Sequence, residues 1–152
     1  MPVSLTRRAA LGLLAALPAT AAAAQARPDR TLVAHKTPTC GCCGGWVAHM
    51  RQAGFTVTVV EHDDLAPVRR RLGVPDALAS CHTGEIAGYA IEGHVPAADV
   101  VRLLAQRPNA AGLSVPGMPL GSPGMEVPGR PAQPYETLLI GRDGRARVFA
   151  RH

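Results

Sequence analysis

The amino-acid sequence predicts an α/β protein in which helices cover a mixed β-sheet. Short β-branched segments are separated by stretches that carry apolar residues at helical spacing. Hydrophobic residues make up 47% of the 152-residue chain and charged residues 18%, which excludes a disordered, collagen-like or coiled-coil protein. Aromatic residues make up only 3%, so we expect a core built mainly from Leu, Val, Ile and Ala.

The first four predicted elements form two strand–helix units. Thr31–Lys36 is a short segment with a β-branched start, which is typical of a strand. Trp46–Ala53 has the apolar spacing of a helix, and Gly54 ends it. Phe55–Glu61 alternates apolar and polar residues and is the clearest strand in the chain. The second helix is delimited by residues typical of helix ends, which are Asp63 or Asp64 as its cap, Pro67 in its first turn and Gly73 at its end.

A hairpin and a third helix follow in the predicted order. Ser80–Glu85 and Ile86–Glu92 are candidate strands that pair through the region of Gly84 or Gly88. Pro96–Arg107 begins with proline and carries apolar residues at helical spacing. The order β-α-β-α-β-β-α matches the thioredoxin-like class, in which the loop after the first strand lies at the N-terminus of the first helix. Ligands collect at such loops in many open α/β sheets.

The last part of the chain predicts a long loop and a terminal hairpin. Gly112–Pro134 contains five glycines and six prolines in 23 residues, so we assign it to a loop rich in Pro and Gly. Loops of this length are usually functional or disordered, and this one is a candidate lid over a site. Tyr135–Ile140 and Arg145–Phe149 flank a turn at 141–144 and predict a C-terminal β-hairpin.

Residues 1–26 have the three-part layout of a secretory signal peptide. Arg7–Arg8 precede the apolar run Ala9–Leu17, and small residues at 22–26 allow cleavage near residues 24–26. The run is too short for a transmembrane helix, which needs about 20 residues. We therefore predict a mature domain over residues 27–152, exported to the periplasm by the twin-arginine or the general route.

Charge and hydropathy argue against nucleic acid as a partner and against a membrane span in the mature chain. The formal net charge is +5 and becomes +3 once the two arginines of the leader are removed. Positive residues are scattered, apart from Arg69–Arg71, which we expect to form a solvated helix face. No basic stripe is interleaved with aromatic residues, so nucleic acid is not an expected partner. No other segment is long and apolar enough to cross a membrane, so we expect a soluble mature protein in an oxidising compartment.

Three of the four cysteines fall within four consecutive residues, Cys40, Cys42 and Cys43, between the first strand and the first helix. The amides and dipole of a helix N-terminus lower the pKa of thiols placed there. Cys40 and Cys43 have the spacing of a redox pair and are the candidate catalytic residues, but such a pair does not need Cys42. A third thiolate favours binding of Cu(I), which prefers sulfur ligands. Zinc is less favoured because three ligands would come from one loop.

Further candidate metal ligands come from the rest of the chain. Cys81 lies on the third strand, which neighbours the first strand in a thioredoxin-like sheet, and so becomes the fourth sulfur ligand. Weaker candidates are His82, His94, Met118 and Met125, because imidazole and thioether groups also bind copper. The weakest candidates are three other histidines, His35, His62 and His49, the last of which we expect to face solvent.

The residues leave three functions open. A copper-binding protein with a Cu(I)–thiolate site would use all four cysteines, and electron exchange between sulfur and copper would make it an oxidoreductase. A thiol–disulfide oxidoreductase would use Cys40 as nucleophile and Cys43 as resolving thiol, with Val74–Pro75 as the neighbouring proline loop. A passive metal carrier would share the metal site without turnover. A purely structural disulfide is the remaining interpretation, with Cys40 and Cys43 as the plausible pair because bridging the adjacent Cys42 and Cys43 would strain the ring.

Several motifs, in order, resemble the CopG-like proteins encoded in bacterial copper-resistance clusters. The motifs are Lys36–Gly44 (KTPTCGCCG), Leu72–Pro75 (LGVP), Ser80–Thr83 (SCHT), Gly88–Pro96 (GYAIEGHVP) and Gly117–Glu126 (GMPLGSPGME). The resemblance spans residues 31–150. It implies a periplasmic, thioredoxin-like protein that binds copper through Cys40, Cys42, Cys43 and Cys81. It also implies a role in copper redox interconversion during detoxification, with other periplasmic copper-handling proteins as partners.

Overall fold

The computed structural model of the protein describes residues 29–152, so the predicted signal peptide lies outside the described residues. Seven strands and three α-helices follow one another as β1 (Thr31–Lys36), α1 (Gly41–Gln52), β2 (Thr56–Glu61), α2 (Ala66–Leu72), β3 (His82–Ile86), β4 (Tyr89–Gly93), α3 (Ala97–Gln106), β5 (Ala110–Val115), β6 (Glu136–Gly141) and β7 (Ala146–Arg151). A single 3-10 turn, Asp76–Leu78, precedes β3. Within residues 29–152, no helix combines the length and apolarity that a membrane span requires.

All seven strands form one mixed sheet in the order β2-β1-β3-β4-β5-β6-β7. The pairs β1/β2 and β4/β5 are parallel, and the other pairs are antiparallel. This arrangement confirms the predicted α/β class with a mixed sheet and a C-terminal hairpin. Because β3 is antiparallel to β1 and β4, the ends of β1 and β4 and the start of β3 meet at one end of the sheet, here called the cysteine end.

Apolar side chains cover both faces of the sheet. The larger cluster lies between the sheet and helices α1 and α3 and includes Leu32, Trp46, Met50 and Leu103, none of which is exposed to solvent. A smaller cluster on the other face joins the end of α2 to β4, β5 and β6. As expected from the composition, most of these residues are aliphatic, and Trp46 is the largest buried side chain.

The sequence-based assignment of Gly112–Pro134 to one loop is wrong in its first part. Ala110–Val115 is strand β5, which pairs in parallel with β4 and is buried along its whole length. Alanine and glycine have low β-propensity, so the pattern hid this strand. The small residues are needed there, because a Cβ atom at Gly112 would collide with the carbonyl of Ala90 on β4. The connecting loop therefore covers residues 116–135.

Helix α1 starts five residues earlier than predicted. It begins at Gly41 and not at Trp46, so Cys42 and Cys43 lie in its first turn and Cys40 is its N-cap residue. Glycine lowers helix propensity, which placed the predicted start after Gly44 and Gly45. The earlier start means that the cysteine motif is part of the helix, with its backbone held in a regular conformation.

The other predicted boundaries are close to those observed. Gly54 and Gly73 adopt positive φ angles of 84° and 74° at the ends of α1 and α2, which confirms their predicted role as helix terminators. The hairpin between β3 and β4 turns at Ala87 and Gly88, both with positive φ, whereas Gly84 lies inside β3. The register of this hairpin places Thr83 opposite Glu92.

Candidate metal centre

The four cysteines converge at the cysteine end of the sheet. One sulfur atom from each of Cys40, Cys42, Cys43 and Cys81 lies within 4.8 Å of the other three. Cys40 and Cys43 are joined by a disulfide, and Cys42 and Cys81 are free thiols. The Cys42 Sγ atom lies 3.6 Å from Cys40 Sγ and 3.8 Å from Cys81 Sγ. Once the disulfide is reduced, the cluster has the composition and spacing to hold a soft metal ion.

Cys81 is the residue that joins this cluster to two histidines. Its Sγ lies 3.0 Å from Nε2 of His94 and 3.2 Å from Nδ1 of His82. The other ring nitrogen of His94, Nδ1, lies 2.8 Å from the Pro123 carbonyl oxygen, which only accepts hydrogen bonds. Nδ1 of His94 must therefore carry the proton, so Nε2 directs its lone pair at the Cys81 thiol. Burial, followed by the neighbouring Cys42, raises the pKa of Cys81 to about 12, so the thiol is protonated and donates to His94.

His82 lies in a buried aromatic stack behind the sulfur cluster. Its ring is 4.3 Å from Trp46 and meets His94 edge-on at 5.0 Å, measured between ring centroids. Burial, with a smaller effect of His94, lowers the pKa of His82 to about 3, so the ring is neutral. The Trp46 indole N–H donates to the Val95 carbonyl at 2.9 Å and fixes the other side of the stack. Cys81, His82 and His94 thus form a second group able to hold a metal, and it shares Cys81 with the first.

The Pro/Gly loop closes over the N-terminus of α1. A Cβ atom added to Gly124 would lie 2.5 Å from Trp46 N and 3.1 Å from Cys42 O, and one added to Gly45 would lie 2.9 Å from Gly124 Cα. The loop also accepts the hydrogen bond from His94 through Pro123. This contact of backbone with backbone requires glycine on both sides, and it places the loop as a cover on the cysteine motif.

Replacing Gly124 with alanine should destabilise the protein by roughly 1–3 kcal/mol more than replacing Gly129 with alanine. Both glycines have positive φ, 86° and 76°, so both variants carry similar backbone strain. Only position 124 adds a collision with α1, because nothing lies within 4 Å of a Cβ atom at position 129. Urea unfolding of the two variants measures the difference, and equal free energies of unfolding would show that the loop does not rest on the helix.

A buried ion pair holds the backbone before Cys81. The Glu92 carboxylate is fully buried and accepts hydrogen bonds from Ser80 N at 2.6 Å, Thr83 Oγ1 at 2.6 Å and Arg69 Nε at 2.9 Å. Arg69 also donates to the Ser80 carbonyl. Burial raises the pKa of Glu92, and its polar partners oppose that shift. The expectation that Arg69–Arg71 is only a solvated helix face is therefore wrong for Arg69, which reaches over the sheet to the segment that carries Cys81.

The remaining sequence candidates have different environments. Met118 is 53% exposed and Met125 is half-buried, both in the loop that covers the cysteine motif, and their role as ligands stays a prediction. His49 does not simply face solvent, because its Nε2 accepts a hydrogen bond from Ala97 N at the start of α3. Pro75 lies beside Gly144 in the β6–β7 turn, at the opposite end of the sheet from the cysteines. It does not supply the proline loop that a disulfide-exchange site was expected to have.

Two solved structures resemble the protein over most of its length. They are form 1 and form 2 of copper resistance protein CopG, each 44% identical in sequence, with TM-scores of 0.76 and 0.75. The aligned regions cover 82% and 80% of this chain and 98% and 97% of those chains. Residues 78–125 match the family DUF411, described as a protein of unknown function. A search of curated protein sequences finds no match.

The fold and the site define an α/β protein with a cysteine cluster able to hold a metal ion at one end of its sheet. The chain belongs to the CopG family of copper resistance proteins, as its identity to the two solved structures shows. The resemblance noted from the sequence motifs is thereby confirmed. The DUF411 match includes Cys81, His94 and the first half of the covering loop, but it begins after the cysteine triplet.

Proposed function

We propose that the protein binds Cu(I) through Cys40, Cys42, Cys43 and Cys81 in the periplasm and takes part in copper resistance. The observation that carries this proposal is the convergence of four sulfur atoms within 4.8 Å in a chain 44% identical to CopG. Thiolate sulfur selects Cu(I) over harder divalent ions. Export to the periplasm rests on the signal-peptide pattern of residues 1–26.

The oxidation state of the Cys40–Cys43 pair sets how many ligands the site offers. With the disulfide closed, Cys42 and Cys81 are the free thiols, and His94 Nε2 faces Cys81. With the disulfide reduced, two further sulfurs join them at the N-terminus of α1, where the helix dipole favours thiolates. Each thiol that binds copper releases its proton, so the copper ion replaces the proton now shared by Cys81 and His94.

This pair also gives the protein a route for electron exchange with its bound metal. Two Cu(II) ions can each take one electron from the reduced pair, so that two Cu(I) ions, the Cys40–Cys43 disulfide and two protons result. The reverse reaction opens the disulfide and oxidises two Cu(I) ions. Because the same cysteines act as ligands and as electron donors, copper oxidation state and site capacity change together.

An anaerobic titration of the reduced protein with Cu(I) against a competing chelator tests the proposal. We expect tight uptake that protects all four thiols, counted by alkylation and mass spectrometry. Copper near the stack should also quench the emission of Trp46, the single tryptophan of the chain. The Cys42→Ser variant should bind fewer copper ions. Uptake that is weak, or unchanged in Cys42→Ser, contradicts the four-cysteine site.

Thiol–disulfide exchange is the second candidate function, because Cys40 and Cys43 form a disulfide at a helix N-terminus. In this case Cys40 is the attacking thiol, since Cys43 is only 1% exposed. Reduction of insulin by the protein separates the two functions. Activity that survives Cys42→Ser and is lost in Cys40→Ser supports disulfide exchange, whereas no activity in the parent protein leaves copper binding as the function.

A further inference from the structure

Two histidines that the cysteine cluster does not use face each other, one on strand β1 and one directly after strand β2. Nδ1 of His35 lies 2.9 Å from Nε2 of His62, and the ring centroids are 5.0 Å apart. His35 precedes Cys40 by five residues, and His62 follows the last residue of β2. The pair therefore lies near the cysteine end of the sheet.

Strand alternation separates this pair from the cysteine cluster. Leu32 and Ala34 point into the core beneath α1, so His35, on the alternate positions of β1, points to the other face of the sheet. There its Nε2 is buried without a hydrogen-bond partner among the described residues and faces the Glu85 carboxylate at 3.6 Å. Arg71 holds that carboxylate with two hydrogen bonds of 2.8 and 3.2 Å.

The Glu85 carboxylate faces Nε2 of His35, and carboxylates placed in this way orient metal-binding histidines in proteins. A proton on Nε2 is attracted by Glu85, which leaves the lone pair on Nδ1 directed toward His62. Burial and the neighbouring His62 lower the pKa of His35, although Glu85 opposes this shift, so the ring favours the neutral form that metals bind. His62 is half-buried and can carry its own proton on Nδ1, which frees Nε2.

The two ring nitrogens form a hydrogen-bonded pair, and their separation also suits two adjacent ligands of one ion. With metal–nitrogen bonds of about 2.0 Å, nitrogens 2.9 Å apart subtend about 90° at the ion. That is the angle between neighbouring ligands in square-planar or tetragonal Cu(II) sites.

A polar cavity beside His62 provides room for further ligands. Its volume is about 390 Å³, and its lining residues are Pro38, Glu61, His62, Asp63 and Asp64. Glu61 is paired with Lys36 at 2.8 Å, and Asp64 accepts a hydrogen bond from Ala66 N. Water that enters this cavity is thus the ligand available to complete the coordination of an ion. The acidic lining attracts cations into the cavity.

We propose that His35 and His62 bind one Cu(II) ion, whose coordination is completed by water from the adjacent cavity. Imidazole nitrogen and water oxygen ligands suit Cu(II), whereas the thiolates on the other side of β1 suit Cu(I). The protein would then hold both oxidation states of copper at separate sites within one domain. This inference does not depend on Cu(I) binding by the cysteines.

Cu(II) titration of the air-oxidised protein, followed by electron paramagnetic resonance, tests this site, with the free thiols Cys42 and Cys81 first alkylated. We expect one bound ion with nitrogen hyperfine couplings from two imidazoles. His62→Gln should weaken binding at least about tenfold, and Glu85→Gln, which removes the carboxylate that orients His35, should weaken it about 10- to 100-fold. His152→Gln, at the other edge of the sheet, where His152 pairs with Asp99, is the matched control and should bind as the parent does.

The outcomes separate the two histidine groups. Unchanged affinity in His62→Gln overturns the proposal, as does loss of the signal in His94→Gln, which would place the ion beside Cys81. The His62 variant carries the test because this side chain lies half-exposed after the end of β2, where substitution disturbs the fold less than at the buried His35. Thermal unfolding of each variant confirms that it is folded at the temperature of the titration.

Discussion

Replacing Cys81 with serine should lower the Cu(I) affinity of the reduced protein by more than about 100-fold, beyond the loss typical of groups that only orient a ligand. Among the described residues, Cys81 belongs to both groups that could hold a metal ion, the four cysteines and the set with His82 and His94. Its removal leaves three sulfurs at the start of one helix and no fourth sulfur to close the site. Competition with a Cu(I) chelator under anaerobic conditions measures the affinity.

Ser80→Ala provides the control for this experiment. It perturbs the same segment by removing the hydrogen bond from Ser80 Oγ to the Gly117 carbonyl, but it keeps all four sulfurs. Affinity close to that of the parent is expected in this variant. If Cys81→Ser binds Cu(I) as tightly as Ser80→Ala does, Cys81 is not a ligand and the site consists of the helix cysteines alone.

Replacing Arg69 with alanine should destabilise the protein by about 3–5 kcal/mol, the range for removing one partner of a buried ion pair. The substitution is costly because the Glu92 side chain is 0% accessible to solvent, so its carboxylate would remain buried without a cation beside it. The Ser80 carbonyl would lose its arginine donor as well. Urea unfolding of the reduced and oxidised proteins measures the change in the free energy of unfolding.

Arg71→Ala is the matched variant on the same helix. Its ion pair with Glu85 lies at the surface, where both side chains are partly exposed, so its loss should cost at most about 1 kcal/mol. Equal effects of the two substitutions would mean that the Arg69–Glu92 pair contributes no more than a surface pair. A large effect confined to Arg69→Ala identifies it as the anchor of the segment before Cys81.

The features of the fold that depend on local sequence patterns could be predicted from the sequence. Strand β2, the ends of α1 and α2 at Gly54 and Gly73, and the C-terminal hairpin each depend on neighbouring residues, through alternation, a left-handed glycine or a turn. Strand β5 could not be predicted in this way. The Ala–Ala–Gly sequence at its start has low intrinsic β-propensity, and pairing with β4 and β6 stabilises the strand. Helix α3 separates β4 from β5 along the chain, and a long loop separates β5 from β6.

The candidate site also has a part that local sequence predicts and a part that depends on tertiary structure. The local sequence was enough to identify Cys40, Cys42 and Cys43 as candidate metal ligands, because they lie within one motif whose chemistry does not depend on the rest of the fold. Only the tertiary structure decided that His94 faces Cys81, that Arg69 reaches Glu92 and that His35 meets His62. Each of these pairs joins residues 13 to 27 positions apart, so its geometry follows from strand register and the face on which a side chain lies. A one-residue change of register would move each side chain of a strand to the opposite face of the sheet, and local sequence patterns do not specify the register.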